Sequence, residues 1–131
     1  MKSFASFELS SPAATRKAGA LLAKNIQTAD SRSQALVIGL AGELGSGKTT
    51  FAQGFIKGCG VRERATSPTF LIFKKFQLPQ AVSAPFSFLY HFDCYRIQRS
   101  QELVSLGWKE IVANPVNIVL VEWPELCLPL R

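Results

Sequence analysis

The segment that decides the fold is residues 35–58, which read ALVIGLAGELGSGKTTFAQGFIKG. Residues 35–41 form a continuous apolar run bounded by turn residues, and this pattern is typical of a buried parallel strand. The glycine-rich stretch 42–47 breaks the run, and a helix is predicted from Lys48 to Gly58. The succession of strand, glycine-rich loop and helix therefore predicts an α/β fold with a phosphate-binding loop at this junction.

The loop itself, residues 42–49, matches the pattern G-x-x-x-x-G-K-[ST] without a mismatch. Backbone N–H groups of such a loop surround phosphate oxygens, and the helix N-terminus adds partial positive charge. We expect Lys48 to reach the β and γ phosphates of a nucleoside triphosphate and the Thr49 hydroxyl to ligate Mg²⁺. The alternative is a glycine turn that only opens a helix. The predicted contacts to nucleotide in this segment are Glu43, Leu44, Gly45, Ser46, Gly47, Lys48, Thr49 and Thr50.

Elsewhere in the chain, strand-like and helix-like segments alternate, which favours an α/β sheet that is at least partly parallel. Strands are predicted over 4–9, 69–76, 86–92 and 116–121, and residues 78–85 are predicted to be a connecting loop. A first helix is predicted to start at Ser11-Pro12, with Leu21 among its inward residues. A single helix is predicted from Ser100 to Ala113, with Leu103, Leu106 and Ile111 inward. Gly107 is expected to weaken this helix only slightly.

Composition sets the class of protein. The chain has 131 residues, of which 47% are hydrophobic and 18% charged, so it is predicted to be one folded domain over residues 1–131. No apolar run approaches the roughly 20 residues of a membrane span, and no membrane partner is expected. The net charge of +6 suits an acidic partner as well as simple solubility. Three widely spaced cysteines argue against a disulfide framework and favour a reducing cytoplasm.

Acidic residues at strand ends are the candidates for metal and water binding. Glu122 ends the apolar strand 116–121, where it is expected to help hold Mg²⁺, although it could also merely cap the strand. Asp93 ends the strand 86–92 and either orients water or is an ordinary turn residue. Trp123 either stacks on a base or a partner, or closes the core. The only histidine, His91, is given no chemical role.

A further candidate is the hydroxyl-bearing segment Ser67-Pro68-Thr69. It either places a hydroxyl near the γ-phosphate, as switch loops do, or forms a plain turn before a strand.

Five blocks in this order resemble the TsaE (YjeE) family, the small ATPases of bacterial tRNA threonylcarbamoyladenosine biosynthesis. The blocks are GELGSGKTTF at 42–51, SPTF at 67–70, YHFDCYR at 90–96, Glu102-Leu103 with Leu106-Gly107, and VEWP at 121–124. The resemblance implies a three-layer P-loop fold with a mixed, mainly parallel central sheet flanked by helices. It also implies hydrolysis of ATP with Mg²⁺ and association with the TsaB–TsaD pair, through which the chain would meet tRNA. Turnover is expected to be slow in isolation, because no arginine finger is evident in the loops.

The resemblance carries roles onto individual residues. Lys48 and Thr49 match the family's phosphate and magnesium positions, and Glu122 matches its second magnesium ligand. Asp93 matches an acidic residue needed for activity, so the predicted catalytic set is Lys48, Asp93 and Glu122. Thr15 and Trp123 match residues beside the nucleotide. The segment Ser67-Pro68-Thr69 matches a switch-like loop.

The chain departs from the family in stopping at Arg131, where similar proteins continue with further strands. We therefore expect it to lack the family's C-terminal strands. Two other readings stay open: a P-loop small-molecule kinase, in which Arg62 and Arg64 would imitate a lid, and a basic nucleic-acid-binding module that holds ATP only as a structural ligand.

Overall fold

The computed structural model describes residues 11–26, 33–42, 45, 47–63 and 73–126. In chain order the elements are helix α1 (Pro12–Ile26), strand β1 (Leu36–Leu40), helix α2 (Lys48–Gly58), strand β2 (Phe73–Gln77), helix α3 (Gln80–Ser83), strand β3 (Phe88–Asp93), helix α4 (Gln101–Ser105), helix α5 (Trp108–Ala113) and strand β4 (Asn117–Glu122). A short 3₁₀ turn, Pro124–Leu126, follows β4.

The four strands form one mixed sheet in the order β1-β4-β3-β2. Strand β4 runs parallel to both β1 and β3, and β2 is antiparallel to β3. In the register, Glu122 lies beside Leu40 on one side and beside Asp93 on the other. The carboxyl ends of β1, β4 and β3 therefore meet at the same edge of the sheet.

Two hydrophobic cores lie on opposite faces of this sheet, because successive strand side chains point to opposite sides. Ile118 and Leu120 of β4 pack with α1 and α2. Val119 and Val121 pack with Leu103 of α4 and with α5. The predicted three-layer architecture with a mainly parallel sheet is confirmed.

Helix α1 packs directly on α2 and begins as predicted, since the Ser11 hydroxyl accepts a hydrogen bond from the Ala14 N–H at 3.1 Å. The two helices approach so closely that a Cβ added to Gly54 would lie 2.0 Å from the Arg16 carbonyl oxygen. Small residues of α1, Gly19 and Ala23, fill this contact. Leu21, which was predicted to face inward, is instead 51% exposed, because the buried face of α1 is set by the glycine contact.

The prediction of one continuous helix from Ser100 to Ala113 is wrong. The segment is divided into α4 and α5 at Gly107, whose φ is 90°. The break rotates the two halves relative to a single helix, so Leu103 and Ile111 are buried while Leu106 is exposed. The predicted loop 78–85 also contains a turn of helix, α3.

Some predictions fall outside the described residues: the strand at 4–9, the segment Ser67-Pro68-Thr69 and the first part of the strand at 69–76. Among the residues described, no helix is both long and apolar enough to cross a bilayer.

Candidate functional site

The loop between β1 and α2 has the backbone conformation that its glycines permit. Gly45 and Gly47 have φ values of 81° and 94°, in the left-handed region that glycine adopts without steric cost. Gly47 directly precedes α2, so the first-turn N–H groups of this helix open onto the loop. Glu43, Leu44 and Ser46, which were predicted to contact nucleotide, lie outside the described residues.

The centre of the site is a chain of hydrogen bonds through Glu122. Thr49 Oγ1, in the first turn of α2, donates to Glu122 Oε1 at 2.8 Å. The other carboxylate oxygen, Oε2, lies 2.6 Å from His91 Nε2. Glu122 is only 2% exposed, and His91 only 1%. Both oxygens of a buried carboxylate are thus held by groups from two different elements.

Burial is the largest single influence on the pKa of Glu122, and it acts to raise that pKa. The hydrogen bond from His91 and the attraction of its imidazole lower it, as do the Thr49 hydrogen bond and the Lys48 charge. Together these contacts outweigh burial, so the pKa of Glu122 lies below its ordinary value. Glu122 is therefore an anion at neutral pH, which is the form that binds a metal cation.

Lys48 lies at the entrance to α2, with its ammonium group between a carbonyl and an aromatic ring. Its Nζ donates to the Gly42 carbonyl oxygen at 2.5 Å and lies 3.9 Å from the centre of the Trp123 ring. Trp123 has a φ of 61°, unusual for a residue with a side chain, and its N–H donates to the Leu40 carbonyl at 3.2 Å. The indole thereby lies against the loop, and it also packs, partly buried, on the core formed with α4 and α5. Closing the core, one of the two alternatives for Trp123, is thus part of its role in this structure.

Asp93 is the last residue of β3 and contributes to a turn as well as to the site. Its Oδ1 accepts the Tyr95 N–H at 3.1 Å, which is the role of a turn aspartate. Asp93 also lines a cavity of about 380 Å³ with Lys48, Thr49, Glu122 and Trp123. The two interpretations of Asp93 from the sequence are therefore compatible in this structure.

The remaining lining residues of the cavity are Gly45, Gly47, Thr50 and Tyr95. Thr15 of α1 lies behind the loop: a Cβ added to Gly47 would be 3.5 Å from Thr15 Cγ2. Its hydroxyl donates to the Ser11 carbonyl oxygen at 3.1 Å. Thr15 is thus near the glycine loop, as the resemblance implied, and its contact with nucleotide stays a prediction.

The oxygen pair of Thr49 and Glu122 is chemically suited to Mg²⁺, which prefers oxygen ligands and commonly keeps water and phosphate oxygens as its other ligands. Within the described ranges, no group of three or more His, Cys, Asp and Glu side chains forms a self-contained metal site. A hydroxyl and one carboxylate at the mouth of a phosphate loop fit an ion that is completed by a nucleotide.

Sequence reasoning missed two residues at this site. A lone histidine carries no motif, yet His91 contacts Glu122 directly. Tyr95 was given no role, yet its ring lies 5.0 Å from that of Trp123. The available signal was position: His91 is two residues before Asp93 in a strand, so both side chains point to the face that carries Glu122.

These features define the class to which the protein belongs: an α/β protein with a P-loop fold, in which the loop follows β1 and a carboxylate lies at the end of the neighbouring parallel strand, β4. Comparisons with known proteins narrow this class. The family model described as "Threonylcarbamoyl adenosine biosynthesis protein TsaE" matches residues 9–130. The chain belongs to the TsaE family.

Individual relatives agree with this assignment. The chain is 34% identical over 119 residues to the tRNA threonylcarbamoyladenosine biosynthesis protein TsaE of Rickettsia typhi, covering 90% of this chain and 73% of the relative. It is 40% identical over 93 residues to the protein of the same name from Bacillus subtilis, covering 69% of this chain and 51% of that one. The crystal structure of Bacillus subtilis YdiB superposes with a TM-score of 0.63 at 30% identity, covering 90% of this chain and 63% of that one. The chain thus spans between half and three quarters of these relatives.

Proposed function

We propose that this chain binds ATP with Mg²⁺ in the loop between β1 and α2 and hydrolyses it, as the ATPase component of tRNA threonylcarbamoyladenosine biosynthesis. The observation that carries the proposal is the hydrogen bond between Thr49 and Glu122. It joins the first turn of the loop helix to the carboxyl end of the neighbouring strand, which is where a P-loop enzyme holds its metal.

The residues that line the site each have a separate role in this proposal. The α2 N-terminus and the N–H groups of the glycine loop bind phosphate oxygens. Lys48 exchanges the Gly42 carbonyl for the β and γ phosphates, which its charge favours. Thr49 and Glu122 hold Mg²⁺, which when bound neutralises charge on the phosphate oxygens. Asp93 lies in the same cavity and orients the attacking water.

The pathway and the partners rest on the family and not on the site. The relatives are named as proteins of tRNA threonylcarbamoyladenosine biosynthesis. We place this chain in the same pathway, acting with a TsaB–TsaD pair and meeting tRNA through it. The cytoplasm is the proposed location, and the buried Cys59 and Cys94, neither of them in a disulfide bond, are compatible with it.

Calorimetric titration of the purified chain with ATP and GTP, with and without Mg²⁺, tests the nucleotide assignment. We expect binding of ATP by the wild type and by Lys57→Ala, an exposed control at the other end of α2, and loss of binding in Lys48→Ala. Undiminished affinity of Lys48→Ala for ATP would contradict the proposed phosphate site.

Phosphate release, measured with and without TsaB–TsaD, tests the ATPase and its partners. We expect slow turnover by the chain alone and faster turnover when the pair is added, because in this proposal a partner completes the catalytic site. Absence of phosphate release under both conditions would remove the ATPase assignment. Transfer of phosphate to a small alcohol would favour the kinase alternative instead.

A further inference from the structure

His91 is an imidazole in an otherwise apolar layer of the sheet. It lies in β3, in register with Leu120 of β4, and shares its face of the strand with Leu89. Both of these leucines are fully buried in the core beneath α2. Burying a histidine at such a position is energetically unfavourable unless its ring nitrogens find hydrogen-bond partners.

Only one of the two ring nitrogens has such a partner. Nε2 lies 2.6 Å from Glu122 Oε2, whereas Nδ1 is buried and makes no hydrogen bond within the part of the chain that the structure describes. An apolar side chain would fill the same space without an unsatisfied nitrogen. The contact of Nε2 with Glu122 is therefore the feature that accounts for an imidazole here.

The effect of that contact is to fix the direction of the carboxylate. A glutamate side chain rotates about three bonds, and the Thr49 hydroxyl holds only Oε1. A second hydrogen bond on Oε2 fixes the plane of the carboxylate, so that Oε1 stays directed towards α2. Partners of this kind orient metal-binding carboxylates in many proteins.

We propose that His91 is a positioning residue: its Nε2–H holds Glu122 in the orientation in which this carboxylate and the Thr49 hydroxyl together receive Mg²⁺. The inference rests on the proposed binding of Mg²⁺ with ATP, and extends it to a residue that touches neither. Loss of this contact should weaken the use of Mg²⁺ and leave the glycine loop and Lys48 able to bind nucleotide without metal.

Two amide variants separate the hydrogen bond from the filling of space. In His91→Gln the amide nitrogen occupies about the position of Nε2, whereas in His91→Asn it reaches only about the position of Nδ1. The Mg²⁺ concentration that gives half-maximal ATP binding is measured for each variant, together with ATP affinity in EDTA. We expect His91→Asn to need roughly 10-fold to 100-fold more Mg²⁺, His91→Gln to resemble the wild type, and affinity in EDTA to stay unchanged in both.

Equal Mg²⁺ requirements in the two variants would overturn the inference, whether both rise or neither does. A wild-type chain whose ATP binding ignores Mg²⁺ would instead refute the proposed function. The two failures are therefore distinguishable in one set of titrations.

A nuclear magnetic resonance measurement decides the matter even if His91→Asn does not fold. The chain has a single histidine, so every imidazole signal belongs to His91. In nucleotide-free wild-type protein we expect a proton on Nε2 that exchanges slowly with water. A bare Nε2, or an Nε2 proton that exchanges as fast as that of free imidazole, would show that the contact with Glu122 does not form.

Discussion

Replacing Glu122 by glutamine separates the charge of the site from its shape. The glutamine amide has nearly the same volume and can still accept from His91 Nε2, while its NH₂ group donates to the Thr49 oxygen. The two contacts seen in the structure, at 2.6 Å and 2.8 Å, can therefore both persist with the Thr49 hydroxyl turned outward. Only the negative charge is lost.

The expected cost to stability is smaller for glutamine than for alanine at this position. A hydrogen bond to a charged group contributes about 1.5–3 kcal/mol and a neutral one about 0.5–1.5 kcal/mol, so weakening two such bonds removes about 2–3 kcal/mol. Glutamine also avoids the cost of burying a charge, and this offsets part of the loss. Glu122→Ala is different, because it leaves the Thr49 and His91 donors facing an empty space, and removal of one member of a buried pair costs about 3–5 kcal/mol.

The expected effect on catalysis is at least as large as the effect on folding. A bound metal contributes several kcal/mol to stabilising charge during phosphoryl transfer, and 3 kcal/mol corresponds to a factor of about 100 in rate. Glu122→Gln should therefore retain ATP binding in part and lose at least about 100-fold in Mg²⁺-dependent phosphate release. Glu125→Gln, which changes an exposed carboxylate three residues away, is the matched control.

The two variants are compared by thermal denaturation, ATP titration and phosphate release with TsaB–TsaD present. Turnover of Glu122→Gln equal to that of Glu125→Gln would refute the reasoning.

The pH dependence of thermal stability gives a second check. The folded-state pKa of Glu122 is lowered, so its ionisation stabilises the fold above the ordinary pKa of a glutamate, and that stability is lost as pH falls through the lower folded value. The melting-temperature advantage of the wild type over Glu122→Gln should accordingly shrink in acid.

Asp93, Trp123 and Cys59 can each be tested separately. Asp93→Asn should keep the hydrogen bond from the Tyr95 N–H and yet slow phosphate release. Activity equal to that of the wild type would show that Asp93 serves only the turn. ATP should change tryptophan fluorescence as Lys48 leaves the Trp123 ring, and Trp123→Phe should abolish the change; persistence of the signal would assign it elsewhere. Burial raises the pKa of Cys59 to about 12, so its alkylation at pH 9, followed by peptide mass spectrometry, should be slow until the protein unfolds; rapid labelling in the native state would contradict its burial.

The parts of the site that sequence predicts well are those set by local pattern. An apolar run, glycines and a lysine at fixed spacing determine a strand, a loop and a helix, and α2 begins and ends at the predicted residues. Glu122 could be placed because a buried parallel strand delivers its last residue to the ligand-binding edge. Glu122 lies close to Thr49, 73 residues earlier, because the carboxyl ends of β1 and β4 meet at the same edge of the sheet.

The parts that sequence predicts poorly depend on tertiary contacts between helices and on the order of the strands. Leu21 has the spacing of a buried residue, but the close contact at Gly54 turns α1 so that this leucine faces solvent. The strand order also depends on distant pairing, since β4 enters between β1 and β3. The spacing of His91 and Asp93 places both on one face of β3, but the contact of His91 with Glu122 depends on β3 and β4 being neighbours, which no motif predicts.

Trp123 shows how a strained backbone conformation positions a side chain at the candidate site. A left-handed conformation costs a residue with a side chain about 1–2 kcal/mol relative to glycine, and Trp123 has a φ of 61°. The ring is partly buried and packs against the core formed with α4 and α5, which offsets part of this cost. What the conformation achieves is to place the indole under Lys48, 3.9 Å from its ammonium group, while Glu122, the preceding residue, points to the opposite side of the strand towards Thr49. Two adjacent residues thus reach two different parts of the phosphate loop, and a glycine here would relieve the strain only by giving up one of these contacts.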